Sequence, residues 1–286
     1  MNNFKINLIN DQKTRLVYCF YLRDDINTYN ELINDKDYSI HFKCLSYICQ
    51  YCPFDELIFI ISTNNQNDEL IKDIKINISN ICCFFKSITF ILESDSKTGR
   101  EGTIFKLYIL NKLDKYDGLT LFFHNKRIVK SNLPSFWNHI VDEDITYWII
   151  GQYYFNMYKF KEELGSFMRN ENKLIYGWPY MHDNYHTQWL IGGNCFWMKC
   201  QEIKKYIEDN NLINKPISER CISEFIFPEL FEPDVIEYPC SNIIKEYIEI
   251  GFYEPGSNKL FLNYLMNTLP YNVYIHFMNF YNDIMN

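Results

Sequence analysis

Residues Glu56–Ser62 read ELIFIIS, an apolar run with none of the polar alternation expected of a strand with one wet face. So short and continuous a run predicts a strand buried on both faces. On either side of it the same signature recurs, at Arg15–Leu22 (RLVYCFYL), Ile88–Leu92 (ITFIL) and Leu119–Phe123 (LTLFF). Between these runs the period changes. Tyr38–Gln50 places Ile40, Cys44 and Ile48 at helical spacing, and a second helix is predicted from Asp68 to about Ile78. A third is predicted over Gly99–Leu113, where Ile104, Leu107, Tyr108, Ile109 and Leu110 form a broad apolar face. Charged or turn-forming residues close the segments: Arg23-Asp24-Asp25, Thr63–Asn67 and Asp117-Gly118. Strands alternating with helices predict an α/β fold, a mainly parallel sheet flanked by helices. Ligands of such sheets bind beyond the carboxyl ends of the strands. Attention therefore falls on the residues just after Leu22, Ile61, Leu92 and Phe123.

The second half is less regular. Trp137 to about Leu164 reads as helix, with Asp142-Glu143-Asp144 as a solvated acidic face. Tyr176–Gln188, rich in Trp, Pro, Tyr and His, reads as a loop. Leu190–Trp197 reads as a strand with a glycine pair, and Cys200–Glu208 as a helix. Ser218–Leu230 is predicted helical and Val235–Tyr238 a short strand, while the remaining tail lacks a clear period. No repeat, linker or low-complexity run divides the chain. A single domain spanning 1–286 is expected, with residues of about 1–130 and 131–286 as its two functional halves.

The bulk properties exclude several classes. A net charge of −8 argues against non-specific nucleic-acid binding, which needs a basic face. No apolar run reaches the roughly 20 residues of a membrane-spanning helix. The N-terminal MNNFKINLIND has neither the basic nor the apolar region of a signal peptide. Cys49 and Cys52 form a CxxC, but no second pair at zinc-finger spacing answers it. Most other cysteines sit in apolar segments, the pattern of buried thiols in a reducing compartment. A cytoplasmic protein is the expectation; the oligomeric state is left open. The 23 Tyr and 23 Phe accompany many Asn, Ile and Lys residues, a bias of AT-rich coding, so composition alone promotes no single aromatic.

Candidate chemistry gathers at a few places. Arg100 opens a helix, where free backbone N–H groups attract anions, and it is a candidate phosphate ligand. It could equally pair with Glu101 or Glu93 in a solvated first turn. His124-Asn125-Lys126-Arg127 follows the fourth strand where the fold expects a ligand, and Lys126, Arg127 and Lys130 make a cationic spot on an acidic chain. His182, Asp183 and His186 form a carboxylate–imidazole cluster in the aromatic segment. Gly192-Gly193-Asn194 would let backbone pass close to a bound sugar, although a strand bend would use the same residues.

Read together, Arg100-Glu101, His124-Asn125-Lys126-Arg127, Gly193-Asn194-Cys195-Phe196-Trp197 and Arg220-Cys221-Ile222-Ser223-Glu224 stand in a recognisable order. The chain resembles a bacterial and viral group of GT-A-fold glycosyltransferases. That group carries an Arg-Glu helix start, a strand ending in His-Thr-Lys-Gly, a Gly-Asn-Phe-Trp-Trp strand and an Arg-Tyr-x-x-Glu segment. The likeness spans roughly Arg15 to Leu230. Arg127 stands where the group has glycine, and Cys195 interrupts the Gly-Asn-Phe-Trp run.

The resemblance implies a GT-A-like, Rossmann-like fold and transfer of a sugar from a nucleotide-diphosphate donor, by default a UDP-sugar, to a glycan or protein acceptor. It implies donor binding by Arg100, His124, Asn125 and Lys126, and acceptor binding by Gly193, Asn194 and Trp197. Trp178, in the aromatic segment, is a further acceptor-binding candidate that could stack on a sugar ring or equally pack the core. Glu224 is implied as the base that deprotonates the acceptor, although it could equally pair with Arg220 one helical turn before it. Asp183, in the carboxylate–imidazole cluster, is a second catalytic candidate. Many GT-A enzymes end the equivalent strand in Asp-x-Asp, whose carboxylates hold a divalent metal. Here His124-x-Lys126 stands instead, so no metal ligand is assigned, and Lys126, with Arg100 and Arg127, is expected to take over part of the metal's charge neutralisation. The missing carboxylates keep a rival open: a silent binding protein that retains the fold and a sugar or nucleotide pocket.

Overall fold

A computed structural model describes residues 13–51, 54–93, 118–125, 142–169, 174–177, 180–183, 188–191, 195–209, 266 and 269–286. The first strand, β1 (Lys13–Tyr21), is buried from Thr14 through Phe20: its apolar run Leu16–Phe20 packs inside, and the buried Arg15 guanidinium donates to the Thr120 hydroxyl. Two helices return the chain: α1 (Tyr29–Asn34) and α2 (Lys36–Tyr51). Thr28 caps α1 in a reciprocal capping box with Glu31, which fixes where this short helix starts. Then follow β2 (Glu56–Ser62), α3 (Asp68–Ile81) and β3 (Ser87–Glu93). The Asn67 side chain accepts from the Leu70 N–H at the start of α3, and Leu70, Ile71, Ile74 and Ile78 are its buried stripe.

The fourth strand, β4 (Gly118–His124), is buried along its whole length. Next come α4 (Asp142–Tyr153), a π-helical turn (Tyr154–Lys159) and α5 (Phe160–Arg169). Four short strands follow: β5 (Ile175–Gly177), β6 (Tyr180–Asp183), β7 (Gln188–Ile191) and β8 (Phe196–Lys199). The described helices end with α6 (Cys200–Asp209) and α7 (Tyr271–Met285).

The main sheet has the order β3-β2-β1-β4-β8-β5. Neighbours among β3, β2, β1 and β4 are parallel, while β8 runs antiparallel to both β4 and β5. The sheet is thus mostly parallel and mixed by one strand, so the α/β class read from the sequence holds. From β1 the chain builds outward to β2 and β3, then returns to the other side of β1 with β4. The order therefore reverses between β1 and β4.

Three expectations need correction. The segment 176–188 is not a loop throughout, because β5 ends in it, β6 lies inside it and β7 begins at its end. The strand expected at Leu190–Trp197 is two strands in two sheets: among the described residues β7 pairs only with β6, whereas β8 joins the main sheet. Its apolar residues satisfy both pairings, so pattern alone cannot show the break. The helix expected to end near Leu164 continues to Arg169, through a π turn whose Tyr154, Phe155, Asn156 and Met157 are all buried. The expected elements at 99–113, 218–230 and 235–238 lie outside the described residues.

Aromatic rings fill the core on the helix α2 and α4 side. Tyr18 stacks on Phe59 at 5.3 Å, and Phe123 meets Tyr153 at 4.5 Å. The chain's last helix closes over this layer, with Tyr281 stacked on Tyr147 at 4.2 Å and Phe280 edge-on to Tyr47 at 4.9 Å. A polar chain runs through the layer. The Tyr18 and Tyr153 hydroxyls are 2.5 Å apart, and the Tyr153 hydroxyl lies 2.8 Å from His41 Nδ1. Burial pushes both phenols well above their ordinary range, so both stay protonated and keep the chain bonded. Among the described residues no helix is long and apolar enough to cross a membrane.

Candidate functional site at the carboxyl edge of the sheet

The reversal between β1 and β4 is the kind of position where an open α/β sheet forms a ligand crevice at its carboxyl edge. His124 ends β4 opposite Cys19 of β1 and is buried. Asn125 follows and extends the ladder, its N–H donating to the Cys19 carbonyl at 3.2 Å. Its carboxamide then clamps β1: Oδ1 accepts from the Tyr21 N–H at 2.7 Å, and Nδ2 donates to the Tyr21 carbonyl at 2.9 Å. Asn125 therefore lies where a donor-binding residue is expected, with its side chain fastening the ends of β1 and β4 together. Asn suits this task because one planar group carries both a donor and an acceptor.

Beyond Tyr21 the chain turns toward β2, with the Leu22 N–H donating to the Ser62 carbonyl at 2.9 Å. Arg23 is held from several sides. Its Nε donates to Asp25 at 2.9 Å, its Nη2 to Asp35 at 2.6 Å, and its backbone N–H to the Tyr38 hydroxyl at 2.8 Å. The Tyr38 hydroxyl in turn donates to the Tyr21 carbonyl at 3.1 Å. Burial alone would raise the Asp35 carboxyl. The Arg23 hydrogen bond and charge, with the N–H groups of Tyr38 and Asp37, outweigh that and hold it below the usual carboxylate range. Nη1 of Arg23 is buried without a hydrogen-bond partner among the described residues. The sequence pattern marks Arg23 only as the end of a strand. The available signal is an arginine followed by two aspartates, directly after the first buried strand.

The loop after β2 is tied to the loop after β1. Asn65 Nδ2 donates to the Ile26 carbonyl at 2.7 Å, and Asn67 Nδ2 to the Asn27 carbonyl at 2.8 Å. The Thr63 N–H reaches the Glu93 carbonyl at 3.0 Å, so the ladder continues one residue past the end of β2 as well. The carboxyl edge from β3 to β4 is thus tied together by hydrogen bonds.

Trp197, expected to bind the acceptor, lies in the core. It is 5% exposed and stacks on Phe54 at 5.3 Å and Phe160 at 4.6 Å, and its indole N–H donates to the Asn156 carbonyl in the π turn. Its apolar neighbours and satisfied N–H make it a core residue. Asp183 ends β6 opposite Gln188 of β7, in the two-stranded sheet apart from β4. Arg100, Lys126, Trp178, Gly193, Asn194 and Glu224 lie outside the described residues. Among the described residues no cluster of three or more His, Cys, Asp or Glu is arranged to hold a metal ion. Comparison of the chain with protein-family models, curated proteins and solved structures gives no match.

Proposed function

We propose that this chain is a GT-A-type glycosyltransferase that binds a nucleotide-diphosphate sugar at the carboxyl ends of β1 and β4. The observation that supports this most is the strand order. It reverses between β1 and β4, and β4 ends at His124, which with Asn125 begins the segment that resembles the family's donor motif. On this reading Lys126 and Arg100, with Arg127, offset the charge that develops on the departing nucleoside diphosphate. Glu224 takes the proton from the acceptor hydroxyl, with Asp183 as the alternative carboxylate. Trp178, Gly193 and Asn194 contact the acceptor, and Trp197 packs in the core. A UDP-sugar is the default donor and a glycan or protein the acceptor.

A thermal-shift screen against nucleotide sugars, run with Mn²⁺ and again with EDTA, tests the proposal, because a ligand of the native state raises the melting temperature. A shift with one donor that survives EDTA is expected. Strict metal dependence would remove the lysine-for-metal assignment. The rival binding-protein reading is favoured by His124-x-Lys126 in place of a metal-holding carboxylate pair. Slow hydrolysis of the bound donor would exclude that rival.

A further inference from the structure

Cys49 and Cys82 meet in the core with their sulfurs 3.3 Å apart, although 33 positions separate them in the chain. Cys49 lies in the last turn of α2, and Cys82 caps the end of α3, where its N–H donates to the Ile78 carbonyl at 2.9 Å. Both are buried, but the chain surfaces at once: Cys83 is exposed and Phe84 is 71% exposed. The sulfurs need approach by little more than an ångström to reach the roughly 2.05 Å of a disulfide. A helix end beside an exposed turn opens locally more readily than a helix centre, which admits a small oxidant.

We infer that Cys49 and Cys82 form a reversible intramolecular disulfide when the protein meets a peroxide. One sulfur attacks a peroxide oxygen and the O–O bond breaks. The products are a sulfenic acid and a hydroxide that leaves as water with that thiol's proton. The second sulfur then attacks the sulfenic sulfur, the S–O bond breaks, and a second water leaves with the second thiol's proton. Two thiols are oxidised to one disulfide, the peroxide is reduced to two waters, and a thiol reductant reverses the change. The new bond ties the end of α2 to the end of α3. Those ends lead into the amino ends of β2 and β3, at the opposite edge of the sheet from His124 and Asn125. Oxidation therefore stiffens the fold without blocking the candidate site, and the inference is independent of what binds there.

The test oxidises the folded full-length protein with hydrogen peroxide, at exposures sufficient to modify Cys83. Remaining thiols are alkylated, and the protein is digested without reductant and mapped by mass spectrometry. A Cys49–Cys82 linked peptide that disappears with dithiothreitol is expected, along with a rise in melting temperature of roughly 5–10 °C. Cys82→Ala should show neither. Links from Cys49 to Cys52 or from Cys82 to Cys83, or over-oxidised thiols without the Cys49–Cys82 peptide, would overturn the inference. The mapping uses the unaltered chain, so its outcome does not depend on whether the variant folds.

Discussion

Replacing Tyr153 with Phe deletes one oxygen at the centre of the buried chain that joins β1, α2 and α4. That hydroxyl bonds to the Tyr18 hydroxyl at 2.5 Å and to His41 Nδ1 at 2.8 Å, so two buried partners lose a bond together. Each buried polar group deprived of its partner costs about 1–3 kcal/mol, which places Tyr153→Phe at about 2–5 kcal/mol. Tyr18→Phe is milder, about 1 kcal/mol, because the Tyr153 hydroxyl keeps its bond to His41. The double variant should cost less than the sum of the singles by about 1 kcal/mol, since the Tyr18 hydroxyl is no longer present to be stranded. Urea unfolding followed by tryptophan fluorescence reads these values as shifts in midpoint at constant slope. A Tyr153→Phe cost below about 0.5 kcal/mol, or strict additivity of the pair, would refute this role for the buried hydroxyls.

Other parts of the structure carry three further outcomes. Asn125→Ala removes both hydrogen bonds to the Tyr21 backbone and should cost about 1–3 kcal/mol in urea unfolding, with weaker binding of any donor found in the screen. Trp197→Ala should destabilise by about 3–5 kcal/mol, the cost of emptying a core aromatic site; a variant of unchanged stability that weakened only acceptor binding would restore Trp197 to the site. The Asp35 carboxyl is depressed in the folded state. Its contribution is therefore complete above its unfolded value near pH ~3.9 and is lost as pH falls through the lower folded value. Stability measured across that acid range should fall less steeply in Asp35→Asn than in the unaltered protein.

The parallel half of the fold is legible in the sequence because β1, β2 and β4 are largely buried and so carry little alternation. The same expectation for Ile88–Leu92 needs correction: β3 is an edge strand with no buried residue, and Leu92 is 51% exposed. ELIFIIS and LTLFF admit no other comfortable home. The last helix escapes notice for the opposite reason. Phe277, Phe280, Tyr281 and Ile284 lie at helical spacing, but Tyr271, Ile275 and Met285 place apolar groups on the exposed side too, and the period is lost among them. The split of residues 190–197 depends on which strands lie alongside, a tertiary fact that no local pattern carries. At the candidate site, the position of His124 and Asn125 follows from the end of a buried strand. The Asn125 clamp on Tyr21 and the anchoring of Arg23 by Asp35 and Tyr38 depend on partners 104, 12 and 15 positions away. Trp197 misleads because an aromatic in a motif looks alike whether it faces a ligand or, as here, the Phe54 and Phe160 rings.

If a nucleotide-diphosphate sugar binds beyond β1 and β4 and loses its sugar there, nucleoside diphosphate must appear in solution. Its release from a panel of nucleotide sugars is therefore the decisive quantity, measured for the unaltered chain and for Lys126→Ala and Glu224→Ala. The expected result is release from one donor, weakened donor binding or turnover in Lys126→Ala, and normal donor binding with failed transfer in Glu224→Ala. No release from any donor, together with no donor that stabilises the protein, would contradict the glycosyltransferase reading.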